Sequence, residues 1–290
     1  MLNRSRSRLI YLHYSHILSN RQLLIWLKND PDITISNNNH QFFLPSLNLS
    51  PNQKMKLQQY LSGQMNVECE QMNQDKQLKI MTILDDDYPD RLKEIHDPPA
   101  VLYLKGDAGK LAHPYTLGVV GARKADSYTL LCLKKILPPL IERNFCIISG
   151  MALGADGMAH TLSLEGHSIG VLGSGFNHIY PPSHQYLYTQ MITKQLLVTE
   201  YPPYLKPQKH FFPMRNRIIS GISKGILVTQ AALKSGSMIT VDRALEEGRD
   251  VFAVPGPIFS ELSSGTNHLI KQGASPVTEA ADIINEWQIP

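Results

Sequence analysis

Positions 201–241 contain no Asp or Glu, yet carry Lys206, Lys209, Arg215, Arg217, Lys224 and Lys234 together with His210. The densest part reads Lys206-Pro207-Gln208-Lys209-His210-Phe211-Phe212-Pro213-Met214-Arg215-Asn216-Arg217. Cations interleaved with aromatic rings are what an extended single-stranded nucleic acid requires. Lys and Arg follow the phosphates while ring faces stack bases without regard to sequence. Pro213 suits the first turn of a helix, which places Arg215 and Arg217 near its positive end, a local cost that an anion would offset. A solvated basic loop with phenylalanines in the core fits the same residues equally well.

A second group of residues points to an anion. Short apolar runs are followed by small residues: Gly121-Ala122-Arg123-Lys124, Ser149-Gly150, Gly173-Ser174-Gly175, Ser235-Gly236-Ser237 and Pro255-Gly256. Such loops let backbone N–H groups approach a phosphate, and a following helix N-terminus adds a favourable dipole. One loop alone is a tight turn; several on one rim favour phosphate binding. No Gly-x-x-x-x-Gly-Lys-Ser/Thr string occurs, which disfavours that route to ATP hydrolysis. The dinucleotide fingerprint is absent too, and Ser149-Gly150 stands where an acid would hold a ribose, so no cofactor is expected. Asp156 and His160, four apart, share a helix face but have no third ligand, so a structural role is expected and no metal. No spacing joins Ser174, Ser235 or Ser237 to a His–Asp pair, nor are paired carboxylates for two-metal chemistry apparent.

The elements that must position these loops are legible from periodicity. The runs Leu117-Gly118-Val119-Val120, Cys146-Ile147-Ile148, Ile169-Gly170-Val171-Leu172, Leu196-Leu197-Val198, Ile226-Leu227-Val228 and Val251-Phe252-Ala253-Val254 suit strands buried on both faces. Crossover helices fit between them, for instance over 127–142 and 237–248. The alternation predicts a doubly wound, mostly parallel α/β domain over 111–290. Residues 1–65 differ, with Leu9, Ile10, Leu12, Ile17, Leu18, Leu23, Leu24 and Leu27 at helical spacing, a second helix over 51–61, and loops at Asn37-Asn38-Asn39 and Pro45. They form a small helical module. Residues 66–110 form an acidic connector and entry to the sheet domain; its Asp85-Asp86-Asp87 run is expected to be a solvated loop.

The chain has 290 residues, enough for about two domains, and a formal net charge of +3. That near-neutral total hides an opposition: nine acids against four bases over 68–97, then the acid-free stretch. Cys69, Cys132 and Cys146 are spaced for neither a disulfide framework nor a zinc ribbon. No apolar run approaches the roughly 20 residues of a membrane helix, and the start is too broken for a secretory signal. A cytoplasmic protein without a membrane partner is expected.

These blocks, with Ile179-Tyr180-Pro181, Glu200-Tyr201-Pro202-Pro203, Gly248-Arg249 and Gly265-Thr266-Asn267, fall in one order over about residues 88–276. That ordered set resembles the DNA-processing protein A (DprA/Smf) family. The resemblance implies an extended Rossmann-like domain behind a small all-α, SAM-like domain. It also implies a non-enzymatic binder of single-stranded DNA that loads the RecA recombinase during natural transformation. Phosphate contacts fall on Arg123, Lys124, Lys206, Lys209, Arg215, Asn216 and Arg217, with Phe212 stacking a base. Backbone or hydroxyl contacts fall on Gly150, Gly173, Ser174, Gly175, Ser235, Gly236 and Ser237. A homodimer is implied as well, through the last part of the sheet domain near Ile270. Three positions depart from the family pattern: Leu153 and Gln230 replace residues that are often basic and acidic, and Tyr204 replaces a glycine. A nucleotide-hydrolysing, phosphoribohydrolase-like enzyme is the alternative, but Pro255-Gly256-Pro257 and Gly265-Thr266-Asn267 only fragment its Pro-Gly-Gly-x-Gly-Thr loop.

Overall fold

The computed structural model describes residues 2–33, 46–62 and 75–289. Asn37-Asn38-Asn39, Pro45, Glu68, Cys69 and Glu70 lie outside the described residues. The helical module supplies α1 (Leu2–Tyr14), α2 (Asn20–Asn29) and α3 (Pro51–Ser62). Two strands follow, β1 (Leu78–Thr82) and β2 (Val101–Gly106), with the one-turn helix α4 (Asp90–Lys93) between them. The alternating part then runs β3 (Thr116–Val120), α5 (Ser127–Glu142), β4 (Cys146–Ser149), α6 (Ala155–Leu162), β5 (His167–Val171), α7 (Gln185–Lys194) and β6 (Leu196–Thr199). It continues through α8 (Phe211–Ile222), β7 (Gly225–Val228), α9 (Gly236–Glu246), β8 (Asp250–Ala253), α10 (Glu261–Lys271), β9 (Ser275–Pro276) and α11 (Ala280–Glu286).

All these strands join one sheet in the order β1-β2-β6-β5-β4-β3-β7-β8-β9. Pairing is parallel from β6 to β9, while β1 and β2 add antiparallel at one edge. All six apolar runs are strands, and the reason is burial on both faces. Ile148, Val171 and Ile226 pack on one side with Ile218 and Ile222 of α8. Leu117, Ile147 and Leu227 pack on the other with Leu133 and Leu137 of α5. Each such side chain contributes about 1.5–3 kcal/mol over exposure. A polar alternate row has no place here. The connector goes further than expected, because its β1 and β2 extend the sheet. Asp85 of its acidic run is an ion-pair partner of Arg6 at 2.7 Å, and only Asp86 and Asp87 are exposed.

The helical module packs on this antiparallel edge. Leu9, Leu12, Leu23, Trp26 and Leu57 share one apolar cluster with Val101 and Tyr103 of β2 and Leu197 of β6. Helix α2 is started by Ser19, whose hydroxyl accepts from the Gln22 N–H while the Gln22 side chain accepts from the Ser19 N–H. This capping box satisfies donors that a helix start leaves open. No helix among the described residues is long and apolar enough to cross a membrane.

The chain moves outward from β3 through β4, β5 and β6, then returns to place β7 on the other side of β3. Between the carboxyl ends of β3 and β7 the crossovers diverge to opposite faces. That divergence opens a crevice, the usual ligand position of such a sheet.

Candidate nucleic-acid interface

A cavity of about 740 Å³ opens at this switch point. Its walls combine Gly121, Arg123 and Lys124 after β3, Lys209, Phe212 and Arg215 around the start of α8, and Ser235, Gly236 and Ser237 at the start of α9. Arg123, Lys124 and Lys209 are exposed. The one acid in the lining, Asp156, is buried and turned inward to accept from the Gly150 and Ala152 N–H groups at 3.1 and 3.2 Å. The field in the cavity is therefore cationic. A cavity of similar size, about 730 Å³, lies against β1, but it mixes Asp75, Asp85 and Asp87 with Arg6, Lys76 and Lys79. It offers no surface of one sign.

The floor next to β4 and β5 is aromatic. The Arg123 guanidinium lies 5.4 Å from the centre of the Phe212 ring, and the Tyr180 ring centre lies 5.3 Å from that of Phe212. Tyr180 is 44% exposed although large and apolar. A half-exposed ring pair held beside a guanidinium is a platform on which a base can stack. In the sequence Tyr180 stands only as the middle of the Ile179-Tyr180-Pro181 motif. The available signal was its position just beyond the glycine loop that follows β5. Gly173 is required beneath the platform, because a Cβ there would stand 2.8 Å from the Phe212 ring.

Several of the residues expected to contact a strand are buried and already engaged. Arg215 is 4% exposed and donates to the carbonyls of Gly150 and Val171, the latter at 2.7 Å. Burial pulls its guanidinium below the ordinary range, against the opposing pull of Asp156. It lines the cavity wall as a fixed positive charge, with those donors already engaged. Arg217, 3% exposed, faces away from the cavity and pairs with Glu200 and Asp97. Against the cost of burial, those two carboxylates hold its guanidinium above the usual value. Arg217 therefore does not line the cavity. Asn216 is buried and donates to the Gly236 carbonyl at 3.3 Å, tying α8 to α9.

Groups in the glycine loops are engaged in the same way. The Gly150 N–H is taken by Asp156, and the residue is glycine because a Cβ would meet the Arg215 guanidinium at 1.8 Å. The Gly175 N–H is taken by the Leu205 carbonyl at 2.8 Å. Ser174 is buried, with its hydroxyl donating to the His178 carbonyl at 3.0 Å. Ser237 donates to the Gly121 carbonyl at 2.7 Å, whereas the Ser235 hydroxyl has no hydrogen-bond partner among the described residues. At Gly236 an added Cβ would meet nothing, and the start of α9 lines the cavity, with the Met238 N–H of its first turn taken by the Ser235 carbonyl at 3.1 Å. Lys206 is exposed on the loop before α8, and Ile270 is half-buried against the sheet core.

The remaining candidates are structural. Gln230 is buried, accepts from the Thr129 hydroxyl at 2.6 Å and donates to Asp126 at 3.3 Å. A neutral amide suits a place beside a carboxylate, which an acid would repel. Leu153 is exposed beside the Tyr180–Phe212 recess and supplies no charge there. Gly256 and Asn267 close on each other through two hydrogen bonds of 3.1 and 3.0 Å, tying the loop after β8 to α10. Asp156 and His160 do not pair: Asp156 caps the loop after β4, and His160 Nδ1 lies 2.8 Å from the Ser168 hydroxyl.

Burial pulls the imidazoles of His160 and His13 down to about 3. The unfolded chain protonates such rings near 6.5 while the folded protein keeps them neutral. The stability tied to them is therefore intact above pH 6.5 and falls with pH below it, by up to about 1.4 kcal/mol per pH unit for each ring. The urea midpoint should drop between pH 7.5 and pH 5.5, and His13→Leu should flatten that drop. A pH-independent difference between variant and parent would count against it.

Comparisons with known proteins show the family of the chain. The family described as DNA recombination-mediator protein A matches residues 79–288. The DNA processing protein DprA of Bacillus subtilis (strain 168) is 39% identical over 274 residues, covering 94% of this chain and 92% of that protein. The X-ray structure of DNA processing protein A from Streptococcus pneumoniae superposes with a TM-score of 0.83 at 33% identity, over 95% of this chain and 96% of that one. A Helicobacter pylori structure, concerned with the single-stranded DNA binding mode of DNA processing protein A, superposes with a TM-score of 0.67 at 27% identity, over 73% and 96%. With the family match running from β1 to the last helix and a relative aligned along nearly its whole length, the chain belongs to the DNA recombination-mediator protein A family, the DprA/Smf proteins.

Proposed function

We propose that the chain binds single-stranded DNA across the switch-point cavity, as a cytoplasmic homodimer without catalytic chemistry, and loads a RecA recombinase onto the strand. The observation that carries this reading is a cavity lined by Arg123, Lys124, Lys209 and Arg215, with a half-exposed Tyr180–Phe212 ring pair and a single inward-turned acid. Arg123, Lys124, Lys206 and Lys209 meet phosphates, Phe212 and Tyr180 stack bases, and the start of α9 at Gly236 donates a backbone N–H to a phosphate oxygen. The Helicobacter pylori relative's single-stranded DNA binding supports the choice of ligand. The dimer draws support from exposed Ile258 and Phe259, which leave apolar surface just ahead of α10, the helix that carries Ile270. The nucleotide-hydrolysing alternative draws no support from the Gly256–Asn267 pair, in which the Gly256 N–H and carbonyl are already engaged by the Asn267 side-chain amide.

The test is a titration of labelled single and double strands at two salt concentrations. Four exposed cations predict a log–log salt slope of about −3 for single strands, at about 0.7 per phosphate. Equal affinity for duplex, or salt-independent binding, would overturn the reading, as would release of free base from nucleoside monophosphates.

A further inference from the structure

The loop that carries Lys206 and Lys209 is gripped at both ends by the N-terminal helical module. At one end the Tyr204 hydroxyl donates to the Tyr14 carbonyl at 2.6 Å, and the two rings meet edge to face with centroids 5.2 Å apart. At the other end His16 meets the ring of Phe211, the first residue of α8, edge-on at 6.1 Å. Residues 205–210 span these two points. The sheet domain holds the same ends as well. His178 Nε2 lies 2.9 Å from the Tyr204 carbonyl, the Gly175 N–H donates to the Leu205 carbonyl at 2.8 Å, and the Phe211 ring stacks on Tyr201 at 3.8 Å.

The grip is firm because α1 is itself rooted in the sheet. Leu9 and Leu12 are fully buried, and His13 Nδ1 lies 3.1 Å from the Tyr103 hydroxyl of β2. Tyr204 is 42% exposed, so burial alone does not account for a large ring there. Its polar tip and one ring edge are both used on the end of α1.

We propose that Tyr204 is a positioning residue for single-strand binding. Through the carboxyl end of α1 it holds the 205–210 loop so that Lys206 and Lys209 face the path of the phosphates. The helical module thereby raises DNA affinity without touching DNA. The physical basis is pre-organisation: a loop already ordered loses less conformational freedom when its lysines engage phosphates. The inference rests on the single-strand reading above.

Four full-length proteins test it: Tyr204→Gly, Tyr204→Phe, Lys206→Ala/Lys209→Ala and the triple variant Tyr204→Gly/Lys206→Ala/Lys209→Ala. Tyr204→Gly should weaken single-strand binding roughly three- to tenfold, the scale of one or two lost side-chain contacts. It should also speed hydrogen exchange over 205–210 in the free protein. Tyr204→Phe, which keeps the ring, should fall between it and wild type. In the background lacking both lysines, Tyr204→Gly should add no further loss, because coupled residues are non-additive where independent ones add. Undiminished loss in that background, or wild-type affinity for Tyr204→Gly while Lys209→Glu binds weakly, overturns the positioning role. If Tyr204→Gly does not fold, Tyr204→Phe and Tyr14→Ala carry the same comparison. If Lys209→Glu itself binds like wild type, the single-strand reading has failed, and this inference falls with it. The exchange result then still reports whether Tyr204 orders the loop.

Discussion

Lys209→Glu is expected to weaken single-strand binding by roughly ten- to a hundredfold at low salt, the scale of losing a charge-assisted hydrogen bond to a phosphate. Lys209 is exposed on the rim of the cavity, in a stretch with no acid of its own, so reversing its charge places a carboxylate among Arg123, Lys124 and the incoming phosphates. The salt dependence is the sharper readout. One phosphate contact removed should flatten the log–log slope by about 0.7. Arg123→Ala should do the same and add a second loss, because its guanidinium also packs 5.4 Å from the Phe212 ring centre. Wild-type affinity and slope for both variants would show that strands do not run through this cavity.

Arg217→Ala should behave in the opposite way, costing stability and leaving the salt slope alone. The side chain is buried between Glu200 and Asp97, and Glu200 is itself buried. Removing the cation strands a carboxylate in the interior. The expected loss is about 3–5 kcal/mol, a fall on the order of 10 °C in the thermal midpoint. Arg123→Ala, by contrast, should stay within about 0.5 kcal/mol of wild type, as an exposed substitution. Replacing the pair together, as Arg217→Met with Glu200→Leu, should recover much of the loss, since matched apolar groups substitute well for buried ions. The fraction of Arg217→Ala that folds should keep the wild-type slope. A lowered slope at unchanged stability would instead place Arg217 on the DNA.

The parallel sheet was legible because its strands are buried on both faces, which leaves runs such as Cys146-Ile147-Ile148 with no polar alternate to blur them. Helix α5 was legible to the residue, over Ser127–Glu142, for a local reason. Asp126 caps it through the Tyr128 N–H at 2.9 Å. The strands β1 and β2 went unread because the acids around them dominate the composition, while their place in the sheet depends on pairing with β6, far along the chain.

At the site, residue types were legible and directions were not. The sequence by itself determined that cations and rings crowd one acid-free stretch and that small residues follow several of the parallel strands. It also constrained Arg215 and Arg217, since residues two apart on a helix point about 200° apart and cannot serve one surface. Which of them turns to the cavity, and that neither is a freely exposed cation, was decided by partners distant in sequence. Gly150 and Val171 receive one guanidinium, and Asp97 and Glu200 the other. The glycines followed the same rule. Gly150 reads as an anion loop, but tertiary packing made it the gap that admits Arg215 and gave its N–H to Asp156. A buried polar group must be satisfied by whatever the fold brings beside it, and that neighbour is set only when the sheet and its crossovers close.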